Sequence, residues 1–115
     1  MKDHFESILR PLFRKDARFC HVERHTDGLL YRVDWKTPEE GRPNKHSRPI
    51  EVYCSAEILE DYKDAPRQQD REEMDRRIID YVERKLAAFD PTHNIPREVP
   101  VPAERWVISP AVAST

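Results

Sequence analysis

Apolar side chains recur along this chain with two periods, and the periods delimit its elements. Phe5, Ile8, Leu9, Leu12 and Phe13 fall at offsets of three, four, seven and eight, one stripe of an amphipathic helix. Pro11 removes a backbone donor and crowds the preceding turn, so a kink or a restart is expected there. From Arg18 to His25 the period becomes two, with Cys20 and Val22 on one face and Phe19 and His21 on the other. Asp27-Gly28 marks a hairpin turn, with Gly28 free to take positive φ. In "LLYRVDWK", Leu29, Tyr31, Val33 and Trp35 alternate with polar residues; in "PIEVYCS", Ile50, Val52 and Cys54 do the same.

Ser55 is a good N-cap, with Glu57 where the helix dipole favours a carboxylate. A helix from Ala56 to about Lys63 would bury Ile58, Leu59 and Tyr62, and Pro66 suits the first residue of another. Met74, Ile78, Tyr81, Val82, Leu86 and Phe89 then step by three and four along a long helix that ends at Asp90-Pro91. Its polar face predicts Glu72–Arg76, Asp80–Arg84 and Asp75–Arg71 pairs, a solvated surface. The last 25 residues carry five of the ten prolines and no glycine, the composition of an extended tail. "ERWVIS" inside it has room for one short strand.

The expected fold is therefore α+β. A three-stranded antiparallel meander, with a fourth short C-terminal strand allowed, packs against an N-terminal helix and a long C-terminal helix. Residues 1–90 form the domain, and 91–115 form a proline-rich tail ordered around 104–109. The helix–three strands–helix order is similar to that of the double-stranded-RNA-binding domain, whose last helix begins with lysines that contact phosphate. Here Ser55–Glu73 holds three basic and seven acidic residues, which would repel a phosphate backbone. No functional residue carries over.

Composition narrows the classes further. The chain has 20 basic and 22 acidic residues, so no global field favours nucleic acid or an anionic membrane. No apolar run approaches the ~20 residues of a membrane-spanning helix. Cys20 and Cys54, without a CxxC spacing, read as two buried free thiols in a cytoplasmic protein. Cys20, His21 and His25 lie together in "CHVERH", but strand alternation sends Cys20 and His21 to opposite faces, so no metal or other cofactor is expected. Glycine occurs only at 28 and 41, leaving no Gly-rich oxyanion loop, and no catalytic group is assigned.

Two candidate binding surfaces remain. The first is the proline-bounded loop with Arg42, Lys45, His46 and Arg48, where Lys36–Arg48 carries a net +2, too little for strong phosphate binding. The second is Trp106, Val107 and Ile108, three adjacent large apolar residues in the tail, of the kind that anchor interfaces. The expected role is a non-catalytic protein acting through contacts with another protein or a second copy of itself. The alternative, a nucleic-acid-binding accessory protein using residues 42–48, is disfavoured by the charge count.

Overall fold

A computed structural model of the chain describes residues 1–23, 27–37, 41, 46–90 and 103–113. The elements are α1 (Lys2–Leu9), β1 (Arg18–Val22), β2 (Leu29–Asp34), β3 (Ile50–Cys54), α2 (Ala56–Asp64), α3 (Gln68–Ala88), β4 (Glu104–Ile108) and α4 (Pro110–Ala113). The fold is α+β, as the alternating periods predict. The sheet order is β1-β2-β3-β4, with β1, β2 and β3 antiparallel and β4 parallel to β3. Parallel neighbours need a long crossover, and α2 and α3 provide it. That crossover and the fourth strand depart from the double-stranded-RNA-binding order.

The inward face of the sheet is Phe19, Tyr31, Val33, Ile50, Val52, Cys54, Trp106 and Ile108, closed over by Phe5, Leu9, Ile58, Tyr62, Ile78 and Val82. The register sets Phe19 opposite Val33, Tyr31 opposite Val52 and Val52 opposite Trp106, so two rows of side chains interlock across the sheet. Val33, Ile50, Val52, Ile78 and Val82 are all fully buried, as their periods require.

Local chemistry sets the element ends. Ser55 Oγ accepts the Ile58 N–H at 3.3 Å, the N-cap read from the sequence. At Pro11 the helix restarts in a tighter form: α1 ends at Leu9 and a 3₁₀ turn follows over Arg10–Leu12, where a proline near the start costs no donor. Pro66 does not begin α3. Arg67 caps it in extended conformation, and Pro66 lies just outside, in the two-residue break after Ala65.

Three further expectations change. Phe19, not Cys20, faces the core, because its ring stacks on Tyr31 at 5.1 Å, while Cys20 is exposed. Gly28 does not need positive φ; Gly41 is the described glycine with that backbone, at φ 79°. Gly28 is required by space instead, since a Cβ there would meet the Cys54 carbonyl and lie 2.8 Å from the Tyr53 ring. The pairs on α3 also shift: Glu73 takes Arg76 at 2.5 Å and Arg77 at 3.2 Å, and Arg84 donates to the Asp80 carbonyl. Asp75 turns inward to other partners.

The C-terminal residues 104–108 are an edge strand of the same sheet. Glu104 N–H donates to the Pro49 carbonyl at 2.9 Å and Ser55 N–H to the Ile108 carbonyl at 3.0 Å, tying β4 to β3 at both ends. Helix α4, unforeseen in the sequence, is held by Arg77 Nη1 donating to the Ala113 carbonyl at 2.9 Å. Among the described residues no helix is long and apolar enough to cross a membrane.

This packing makes graded predictions. Ile78→Ala should cost about 2–5 kcal/mol and Trp106→Ala about 3–5 kcal/mol in urea unfolding. Val107→Ser, on the exposed face of the same strand, should stay within about 0.5 kcal/mol. Equal losses at 106 and 107 would contradict the orientation of β4.

Candidate functional site

Seven of the aromatic side chains form one connected series. His21 meets Tyr31 edge-on at 5.6 Å, Tyr31 stacks with Phe19, and Phe19 lies 6.0 Å from Phe13. Phe13 stacks on Trp106 at 6.4 Å with planes 15° apart; Trp106 takes Phe89 edge-on at 6.1 Å, and Phe89 takes Trp35 edge-on at 5.8 Å. Edge-on and offset contacts are the favoured aromatic geometries, so the series stiffens one end of the molecule. Trp106 is 1% exposed, and among the described residues its indole N–H has no acceptor.

This end of the fold opens into a hollow of about 320 Å³. Leu12 and Phe13 come from the 3₁₀ turn and its cap, Trp35 from the end of β2, and Leu86 and Phe89 from the end of α3; Arg14 forms the rim. The Arg14 guanidinium lies 5.9 Å from the centre of the Trp35 ring, within cation–π range. It also grips Asp16 with both nitrogens, at 2.9 and 3.0 Å. Trp35 is fixed by a two-way bond with Ser47: its N–H donates to Ser47 Oγ at 3.0 Å, and Ser47 N–H donates to its carbonyl at 2.7 Å.

A second cluster lies among α1, α2 and α3. Asp75 accepts a hydrogen bond from the Tyr62 hydroxyl and lies 2.8 Å from His4 Nε2. Tyr62 is flanked by Phe5 at 5.2 Å and His4 at 5.4 Å. Burial first, and then the bond to Asp75, hold the Tyr62 hydroxyl protonated well above the usual tyrosine range. Tyr31 is pushed up the same way, mainly by burial, and its hydroxyl donates to the Lys2 carbonyl at 2.9 Å. Burial lifts the Cys54 thiol to about 12, which keeps it un-ionised and un-nucleophilic at neutral pH.

The sequence-derived candidates are dispersed. Trp106 and Ile108 are buried in their own chain, and Val107 alone of the three is exposed, at 43%. In the basic loop, Arg42 and Lys45 lie outside the described residues. His46 is exposed and bridges to Lys36, and Arg48 Nη1 lies 3.7 Å from Glu104. Cys20 is exposed, His21 rests on Tyr31, and His25 lies outside the described residues. Among the described residues no group of three or more His, Cys, Asp or Glu side chains is placed to hold a metal ion.

The hollow was missed because Phe13, Trp35 and Phe89 are far apart in sequence, each at the end of an element. Asp75 was legible: it lies three and seven residues before Ile78 and Val82, on the apolar stripe rather than the polar face. No protein-family model, curated protein or solved structure matches the chain.

The raised thiol and hydroxyls set an alkaline limit. A group whose pKa is higher folded than unfolded stabilises fully below its unfolded value and loses that contribution as pH rises. For Cys54 the loss begins near 9 and continues to about 12, at about 1.4 kcal/mol per pH unit. Tyr31 and Tyr62 add to it above 10. Urea unfolding from pH 8 upward should show stability falling from about 9 in the native chain, and from about 10 in Cys54→Ala. An identical pH dependence in the two would refute the assignment.

Proposed function

We propose that the chain is a non-catalytic protein-binding domain and that the hollow between the 3₁₀ turn, β2 and α3 is its contact surface. The observation behind this reading is the convergence of Leu12, Phe13, Trp35, Leu86 and Phe89 on one open hollow, backed by the rigid stack on Trp106. Preformed apolar concavities with rigid aromatic walls are where interface anchors seat. The non-catalytic part is supported by what the titratable groups already do. Asp75 is committed to Tyr62 and His4, and so joins three helices. Cys54 is un-ionised near neutrality.

The partner is another protein or a second copy of this chain. The rival reading, nucleic acid on residues 42–48, draws less support, because Arg48 lies against Glu104 and Lys36–Arg48 carries only a net +2. Trp106 and Ile108 would serve a partner indirectly, from beneath the surface.

Titration of the ¹⁵N-labelled chain with a neutral Gly/Ser peptide carrying one Phe and one Leu tests the site. The Leu12, Leu86 and Phe89 amides and the Trp35 indole should shift. Leu86→Ala, at a half-buried position, should weaken that binding about tenfold while the chain keeps a cooperative thermal transition at a lowered midpoint, since Leu86 also packs on the core. Shifts confined to other surfaces would refute the site. Light scattering on the free chain separates a monomer awaiting a partner from a self-associating one.

A further inference from the structure

Phe13 and Arg14 line a second hollow as well, of about 360 Å³, whose other walls are Arg10, Pro11, Lys15, Ala17 and Phe19. The two hollows therefore share a wall and run on from one another around the 3₁₀ turn. Among the described residues their combined lining holds Arg10, Arg14 and Lys15 and no carboxylate. Arg10, Arg14 and Lys15 are all exposed. Asp16 pairs with Arg14 through two hydrogen bonds and offsets its charge, and the next cation along the chain, Arg18, is turned to Asp34 at 3.4 Å, so the net positive charge of the lining rests on Arg10 and Lys15.

This local sign opposes the rest of the molecule. The chain is net −2, and Ser55–Glu73 carries seven acids against three bases. A ligand attracted to the double hollow is thus selected by short-range charge, within about 10 Å at 0.1 M salt, rather than steered by a global field.

The floor decides between anionic partners. A nucleobase needs an open ring face to stack on, yet Phe13, Phe19 and Trp35 are each only 7% exposed and spend their faces on neighbouring rings or on Arg14. Three cations also neutralise too few phosphates for strong binding. Side chains of a peptide fit such a floor, because each hollow is closed by the edges of rings and by Leu12, Leu86, Pro11 and Ala17.

We propose that the two hollows together bind an acidic, extended protein segment with two apolar anchors. One anchor seats in each hollow, and the segment's carboxylates meet Arg10 and Lys15, with Arg14 held between them on Asp16 and Trp35. The proposal rests on the protein-binding reading of the first hollow and adds the charge of the partner and the second subsite.

The test is fluorescence anisotropy of the full chain with a labelled peptide of Glu and Asp carrying one Phe and one Leu. A second peptide has the acids replaced by Ser, and a third has the anchors replaced by Ser. The acidic two-anchor peptide should bind about tenfold tighter than either control. Arg10→Glu/Lys15→Glu should remove that advantage with an unchanged thermal midpoint, and raising the salt should weaken the acidic peptide more than the neutral one. Equal binding of the acidic and Ser-for-acid peptides, unaffected by the charge reversal, overturns the acidic partner while leaving the protein-binding reading standing. Binding by no peptide, with unmoved Leu86 and Phe89 amides, overturns both. A single-stranded oligonucleotide binding more tightly than any peptide, and lost on charge reversal, overturns the proposal in favour of nucleic acid.

Discussion

The parallel seat of β4 on β3 is the constraint from which the rest of the arrangement follows. A strand that joins parallel to its neighbour must be delivered by a crossover, and here the crossover is the helix pair that covers the sheet. Placing β4 therefore also places α2 and α3. The Pro49–Glu104 and Ser55–Ile108 hydrogen bonds fix the register at both ends, and that register sets Trp106 beside Val52 in the middle of the inner face. Ser55 serves twice: its N–H closes the β4 end and its hydroxyl starts α2, so the end of the sheet and the first turn of the crossover depend on one residue.

Trp106 converts that placement into a surface. Phe13 lies flat on it and Phe89 meets it edge-on, so the two rings that wall the hollow are positioned by a side chain that does not itself line it. Long aromatic rings with two rotatable bonds lose little entropy when held this way, and each such pair adds roughly 0.5–1.5 kcal/mol beyond its burial. Among the described residues the indole N–H finds no acceptor, which is the cost of using tryptophan there. A leucine would avoid that cost but could not support Phe13 by its face and Phe89 at its edge together.

Where the fold was legible in the sequence, one local period was enough. β2, β3 and the inward stripe of α3 follow from alternation and from three- and four-residue steps, because one face of each is dry. The Ser55 cap is a local rule as well. The faces of β1 could not be assigned, since Phe19 and Cys20 are both apolar enough to be buried and the choice is made by Tyr31 on the next strand. The apolar run 106–108 was visible, but its destination on β3 depends on residues some fifty positions earlier. The double hollow lay beyond a local reading for the same reason: it is built from element ends, and element ends are where period says least.

The cluster at the other side of α1 shows what a carboxylate on an apolar stripe can do. Asp75 binds Tyr62 of α2 and His4 of α1 from its place on α3. An aliphatic residue at 75 could pack there, but it would leave the Tyr62 hydroxyl buried with no acceptor, which costs about 1–3 kcal/mol. A directional acceptor also fixes how the three helices rotate about their axes, which apolar packing alone specifies less sharply. α1 runs directly into the 3₁₀ turn that carries Arg10, Leu12 and Phe13. The polar cluster thereby sets the orientation of the segment that walls both hollows, and the interior bond and the outer surface are two ends of one rigid element.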